Sequence, residues 1–115
     1  MHLRHEHDGE TRTLATDVDT ADSFLAQARG LMFRRSIPED YALVFDFDGV
    51  DSRDAHMVFV PFDIDALWVE DGEVQRAKRL AAWTGRGEAR CDTLVELPAG
   101  AADGVEIGDR VWTED

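Results

Sequence analysis

Two carboxylates, Asp63 and Asp65, stand two residues apart around Ile64, at the head of an apolar run that ends at Val69. In an extended chain residues i and i+2 point to the same side, so the pair shares a face. Paired carboxylates can divide general-acid and general-base work, as in glycosidases, at a separation of about 5–9 Å. His56 lies upstream in the apolar stretch His56–Val60. It could act as a base, a ligand or a satisfied core histidine. Asp63, Asp65 and His56 therefore outline a hydrolase-like set. The structural alternative is strong, because 25 of 115 residues are acidic and such pairs arise by chance. Asp65, amid apolar neighbours, is then expected to accept backbone N–H bonds at a strand or loop edge.

A second group combines cations with an aromatic. Trp83 opens a glycine-bearing stretch with Arg86 and Arg90, and Arg34-Arg35 follow Phe33. A surface made of Arg34, Arg35, His56, Asp65, Trp83 and Arg86 would suit an anionic or sugar-like ligand. Three further patterns carry less. His2, His5 and His7 with Glu6 and Asp8 have transition-metal ligand types but sit near a terminus. Asp46-Phe47-Asp48-Gly49-Val50-Asp51 has the look of a calcium loop. An EF-hand needs glycine sixth and glutamate twelfth, whereas here glycine is fourth and Met57 is twelfth. Cys91 has no neighbouring base and reads as a half-buried thiol. No metal, cofactor or catalytic residue is expected on these grounds.

The carriers of these residues follow from composition. A chain of 115 residues, 43% apolar, fits one domain with a core, residues 1–115. Against the 25 acids stand 12 bases, of which Lys78 is the one lysine, for a net charge of −13. That excess repels phosphate backbones and anionic membranes, so neither nucleic acid nor membrane is an expected partner. The acids run from Glu6 to Asp115 instead of forming one block, as in a solvated shell suited to concentrated salt. One cysteine allows no internal disulfide, and Met1–Arg12 lacks the apolar stretch of a signal peptide. A cytoplasmic, soluble monomer meeting a small ligand or a protein is the expectation.

Asp8-Gly9 marks a hairpin turn within His2–Asp19. Thr20 suits an N-cap, Ala21, Phe24, Leu25 and Ala28 form a helical stripe, and Gly30 ends it in the left-handed conformation. From Tyr41 the period is that of strands: Tyr41–Phe47, His56–Val60, Ile64–Val69, Val74–Ala81, Thr93–Leu97 and Ile107–Thr113. Asp48–Asp51 reads as a turn, Glu70–Glu73 as a hairpin around Asp71-Gly72, Trp83–Arg90 as a loop and Pro98–Gly104 as a loop or short helical turn. Turns every 8–12 residues or so suggest a mainly β domain, a sandwich or barrel, with one N-terminal helix.

Four pieces in order carry a resemblance: Arg29-Gly30-Leu31-Met32-Phe33-Arg34; Tyr41–Phe47; His56-Met57 ahead of Asp65; and Glu96-Leu97-Pro98-Ala99-Gly100 with Ile107-Gly108-Asp109-Arg110-Val111. Over residues 13–112 the chain resembles the family called domain of unknown function 192. Two positions depart from it: the family usually has Trp-Met at His56-Met57, and Pro at Asp63. The resemblance implies a compact β-sandwich of jelly-roll type with one N-terminal helix, and no established activity. The resemblance also implies export signals in many relatives, a feature not expected of this chain. With its acid shell this chain looks like a halophilic archaeal member. The leading functional reading is a small non-catalytic binding or interaction module; the alternatives are the hydrolase-like enzyme and a purely structural subunit.

Overall fold

Tyr41–Phe45, Ile64–Val69 and Leu94–Leu97 are nearly unbroken apolar runs, and such strands belong where both faces of a sheet are covered. The computed structural model, which describes residues 1–21, 27 and 29–115, has that arrangement. Eight strands form one sheet: β1 (His2–His7), β2 (Glu10–Ala15), β3 (Asp17–Ala21), β4 (Tyr41–His56), β5 (Ile64–Glu70), β6 (Glu73–Leu80), β7 (Arg86–Pro98) and β8 (Arg110–Glu114). Their spatial order is β2-β1-β8-β6-β5-β7-β4-β3. All neighbouring pairs run antiparallel except β3 and β4.

The edge strands β2 and β3 are consecutive in sequence, with Thr16 alone between them. Laid flat, eight strands at about 4.8 Å spacing would hold those edges roughly 34 Å apart, far beyond the reach of one residue. The sheet must therefore curl until its edges meet. Leu3, Leu14 and Ala15 from one edge pack with Ala42, Val44, Leu67, Val95 and Leu97 in a single core. The opposite face carries Tyr41, Leu43, Phe45, Ile64, Ala66, Trp68 and Leu94. No ladder joins β2 to β3, so the sheet stays open.

Parallel neighbours need a crossover, and the one from β3 to β4 passes over that second face. Its Leu31 is buried there, with Met32 and Ile37 packed alongside. Gln27 fastens it by donating from Nε2 to the carbonyls of Ala21 (3.1 Å) and Asp46 (2.9 Å).

Several expectations change. One curled sheet replaces the two facing sheets of a jelly roll. The expected helix falls largely on residues 22–26 and 28, outside the described ones. Asp48–Asp51 does not end a strand: β4 runs on to His56, and Phe47–Val50 bulge opposite Asp92 alone. His56–Val60 is not a strand, because β4 stops at His56 and Met57–Val60 turns, with the Val60 N–H donating to the Met57 carbonyl. Arg86–Arg90 belongs to β7 and pairs with Ser52–His56. The last strand begins at Arg110. Among the described residues no helix is long and apolar enough to cross a membrane.

Candidate functional site

Strand β7 lies between β5 and β4, so its side chains alternate between two buried faces. Val95 and Leu97 enter one core and Leu94 the other. Glu96 takes the next position on the Leu94 face, opposite Leu43 of β4 and Ala66 of β5. It is a carboxyl where an apolar residue would ordinarily sit, and only 6% of it is exposed. Burial pushes its pKa up from 4.5 to about 7. Among the described residues no hydrogen bond reaches it.

Glu96 instead faces a cavity of about 520 Å³. The floor is Phe45, Leu94 and Glu96; the crossover supplies Gly30, Leu31 and Met32, and the far half of β4 supplies Arg53 and His56. Gly30 has φ +50, and a Cβ there would come within 3.2 Å of the Phe45 ring and 3.8 Å of Glu96 Oε1. Glycine therefore lets the crossover turn and also keeps room above the carboxyl. The bulge in β4 aims Phe47 and Arg53 at the same space, with the guanidinium 3.9 Å from the Phe47 ring centroid. Arg53 donates to the Gly49 carbonyl at 3.2 Å, while its buried Nε has no acceptor among the described residues. Arg29 and His56 are exposed at the rim. The arrangement is an apolar cup with a buried acid at its base and an arginine and a histidine at its mouth.

Beside the cup runs a crest of exposed apolar side chains: Phe33 (65% exposed), Val58 (48%), Phe59 (49%) and Trp83 (58%). Three of the four, Phe33, Phe59 and Trp83, have left-handed backbones, with φ of 68°, 58° and 67°. Non-glycine residues enter that region at a cost, so neighbouring contacts must hold them there. Phe33 N–H donates to the Phe59 carbonyl (2.9 Å) and Trp83 N–H to the Val60 carbonyl (3.0 Å). The Phe33 and Phe59 rings stack at 4.9 Å. His56, which lines the cup, also lines a smaller cleft with Trp83 and Arg86.

The residues singled out in the sequence divide accordingly. His56, Trp83 and Arg86 come together, and Arg86 reaches Asp54 at 3.4 Å. Arg34 donates to the Tyr41 hydroxyl at 3.0 Å, and that hydroxyl donates to Asp19 at 2.9 Å. Burial, then the bond to Asp19, raises the Tyr41 pKa to about 12. Arg35 is exposed. Asp65 is not brought to His56: it shares the face of Leu67 and Val69 and accepts from Arg79 Nε (2.9 Å), Gly100 N (2.9 Å) and Ala102 N (3.1 Å). Asp63 accepts from the Ala82 N–H at 2.8 Å, so the hydrolase-like set does not assemble. Cys91 is buried, and burial lifts its thiol to about 11. His5 and His7 converge on Asp109. Glu96 and the two phenylalanines of the crest escaped sequence reasoning; the legible signal for Glu96 was an acid interrupting Leu94-Val95-Glu96-Leu97.

Three comparisons place this geometry among known proteins. The pattern of the DUF192 family, described as Uncharacterized ACR, matches residues 4–113. A UPF0127 protein of Thermococcus kodakarensis is 31% identical over an alignment 105 residues long that covers 84% of this chain and 64% of that protein. This chain thus spans somewhat under two thirds of that relative. A Sinorhizobium meliloti protein described as a candidate transcription regulator superposes with a TM-score of 0.83 at 25% identity, covering 96% of this chain and 90% of its own. A Novosphingobium aromaticivorans protein of unknown function gives 0.84 at 20% identity, covering 97% and 84%, a likeness of fold alone. The chain belongs to the DUF192 family.

Proposed function

We propose that this DUF192 protein is a non-catalytic module that binds a small, hydroxyl-bearing organic anion in the cup above Glu96. The observation that carries the reading is a carboxyl 6% exposed, without a partner among the described residues, at the base of a cavity of about 520 Å³. A buried polar group without a partner is costly, and a ligand hydroxyl donating to Glu96 would relieve that cost. Phe45, Phe47, Met32 and Leu94 suit the apolar body, and Arg29, Arg53 and His56 suit the anionic end. Trp83 and the phenylalanine crest offer flat faces beside the mouth. A regulator's role, by analogy with the Sinorhizobium protein, would make the cup a sensor pocket. A net charge of −13 argues against direct contact with nucleic acid and fits a monomer in a salt-rich cytoplasm.

Thermal melts in molar potassium chloride test the reading, because a ligand that binds the folded state raises the midpoint by mass action. The panel pairs hydroxy acids and sugar acids with the parent carboxylates that lack the hydroxyl. The hydroxyl-bearing members should stabilise more, and Glu96→Ala should abolish their advantage. An equal shift from both classes, or full retention of the shift in Glu96→Ala, would overturn the proposal.

A further inference from the structure

Strand β1 carries His5 and His7 at i and i+2, so both rings leave the same side. The turn before β8 delivers Asp109 to them, one residue ahead of Arg110, which pairs with Glu6. Arg12 Nε donates to His5 Nδ1 at 3.0 Å. That nitrogen is then the acceptor, and the proton of a neutral His5 sits on Nε2, which donates to Asp109 Oδ2 at 2.8 Å. The Glu106 N–H donates to the same oxygen at 2.9 Å. Oδ2 is thus held by two donors, and Oδ1 is left to His7 Nδ1 at 2.7 Å. Glu106 Oε2 lies 3.7 Å from that nitrogen.

We infer that His7, Glu106 and Asp109 form a binding site for a divalent transition-metal ion such as zinc. One imidazole nitrogen and two carboxylate oxygens are a donor set that zinc accepts, with bonds of about 2.0–2.2 Å. Bonds of that length set neighbouring donors roughly 3–3.5 Å apart. From His7 the spacings are 2.7 Å to Asp109 and 3.7 Å to Glu106, and the three ligand atoms all lie within 4.8 Å of one another, so closing on an ion takes small side-chain movements. Asp109 is held in place by geometry: Oδ2 accepts from His5 Nε2 and the Glu106 N–H, which leaves Oδ1 facing His7. This is the outer support that orients a metal-binding carboxylate, with His5 and Arg12 behind it. His7 is 39% and Glu106 69% exposed at the side chain, which leaves an entry path and room for water to complete the coordination. Without metal, His7 Nδ1 and Asp109 Oδ1 are joined by a hydrogen bond, and the ion would take the place of its proton. The site shares no residue with the cup of Glu96.

Zinc alone is the probe, added to the full chain freed of metal by chelation and dialysis in potassium chloride, with binding read by calorimetry and by thermal melting. One ion should bind per chain and raise the melting midpoint. His7→Ala and Glu106→Gln should each weaken binding by about tenfold or more. His2→Ala, which removes an exposed histidine of the same strand outside the site, should leave affinity unchanged. Absence of binding, an undiminished affinity in His7→Ala, or an equal loss in His2→Ala would overturn the inference.

Discussion

Between Leu43 and Ala66, a charge on Glu96 has no donor to meet it among the described residues, and its carboxyl holds a proton that a solvated glutamate would release. Its folded pKa of about 7 stands above the ordinary 4.5. Between those values the folded state binds more protons than the unfolded one, so stability falls as pH rises. The contribution is complete below pH 4.5 and gone once pH has passed about 7. Carbon-detected NMR titration should place the Glu96 carboxyl near 7. Glu96→Gln should flatten the pH dependence and exceed the parent in stability at pH 8, by about 3 kcal/mol at most. A carboxyl titrating near 4.5 would mean that Glu96 is solvated. Asp65 shows the reverse: donors from Arg79, Gly100 and Ala102 surround it. Asp65→Ala should cost roughly 1–3 kcal/mol in chemical unfolding, and Asp65→Asn should recover part of that; a fully stable alanine variant would contradict the support role. The sequence pointed to Asp65 as a support because a lone acid in an apolar strand must find donors. It could not show that Glu96 meets none among the described residues, since its surroundings come from β4, β5 and the crossover, none adjacent in the chain.

At the scale of elements, legibility tracked local chemistry. Both Asp-Gly hairpins stand where read, with Asp8, Gly9, Asp71 and Gly72 all at positive φ, the requirement of a type I′ turn. Gly30 is likewise at positive φ. The continuation of β4 through Phe47–Val50 was not legible, because a bulge carries the same Asp and Gly residues as a turn and only the β7 partner distinguishes them. The strained crest was equally hidden: nothing local marks a phenylalanine or tryptophan for a left-handed backbone. Strand β7 also contains Gly87, where a Cβ would lie 2.8 Å from the ring of the fully buried Trp68. Trp68 is fixed by its Nε1 bond to the Arg53 carbonyl at 3.0 Å, so it cannot easily yield. Gly87→Ala should lose about 1–3 kcal/mol by overpacking and should disturb the near-ultraviolet signal of Trp68. A neutral variant with an unchanged signal would show that the contact is slack.

For the whole molecule, two features follow from the chain's arithmetic. The single-residue link at Thr16 forces the sheet to curl, a constraint that strand patterns alone do not display because it depends on which strands become the edges. The net charge of −13 makes the folded state repel itself in dilute buffer. Raising the salt to molar concentration shortens the screening length to about 3 Å, so the melting midpoint should climb steeply with potassium chloride. A flat or falling midpoint would count against a shell adapted to salt. If the cup above Glu96 is where this protein meets its ligand, every amide around it should report binding at once. Amide spectra recorded while the hydroxy-acid and sugar-acid panel is added should show saturable shifts gathered at Gly30, Phe45, Arg53, His56, Leu94 and Glu96. Shifts gathered elsewhere, or none from any member of the panel, would contradict it.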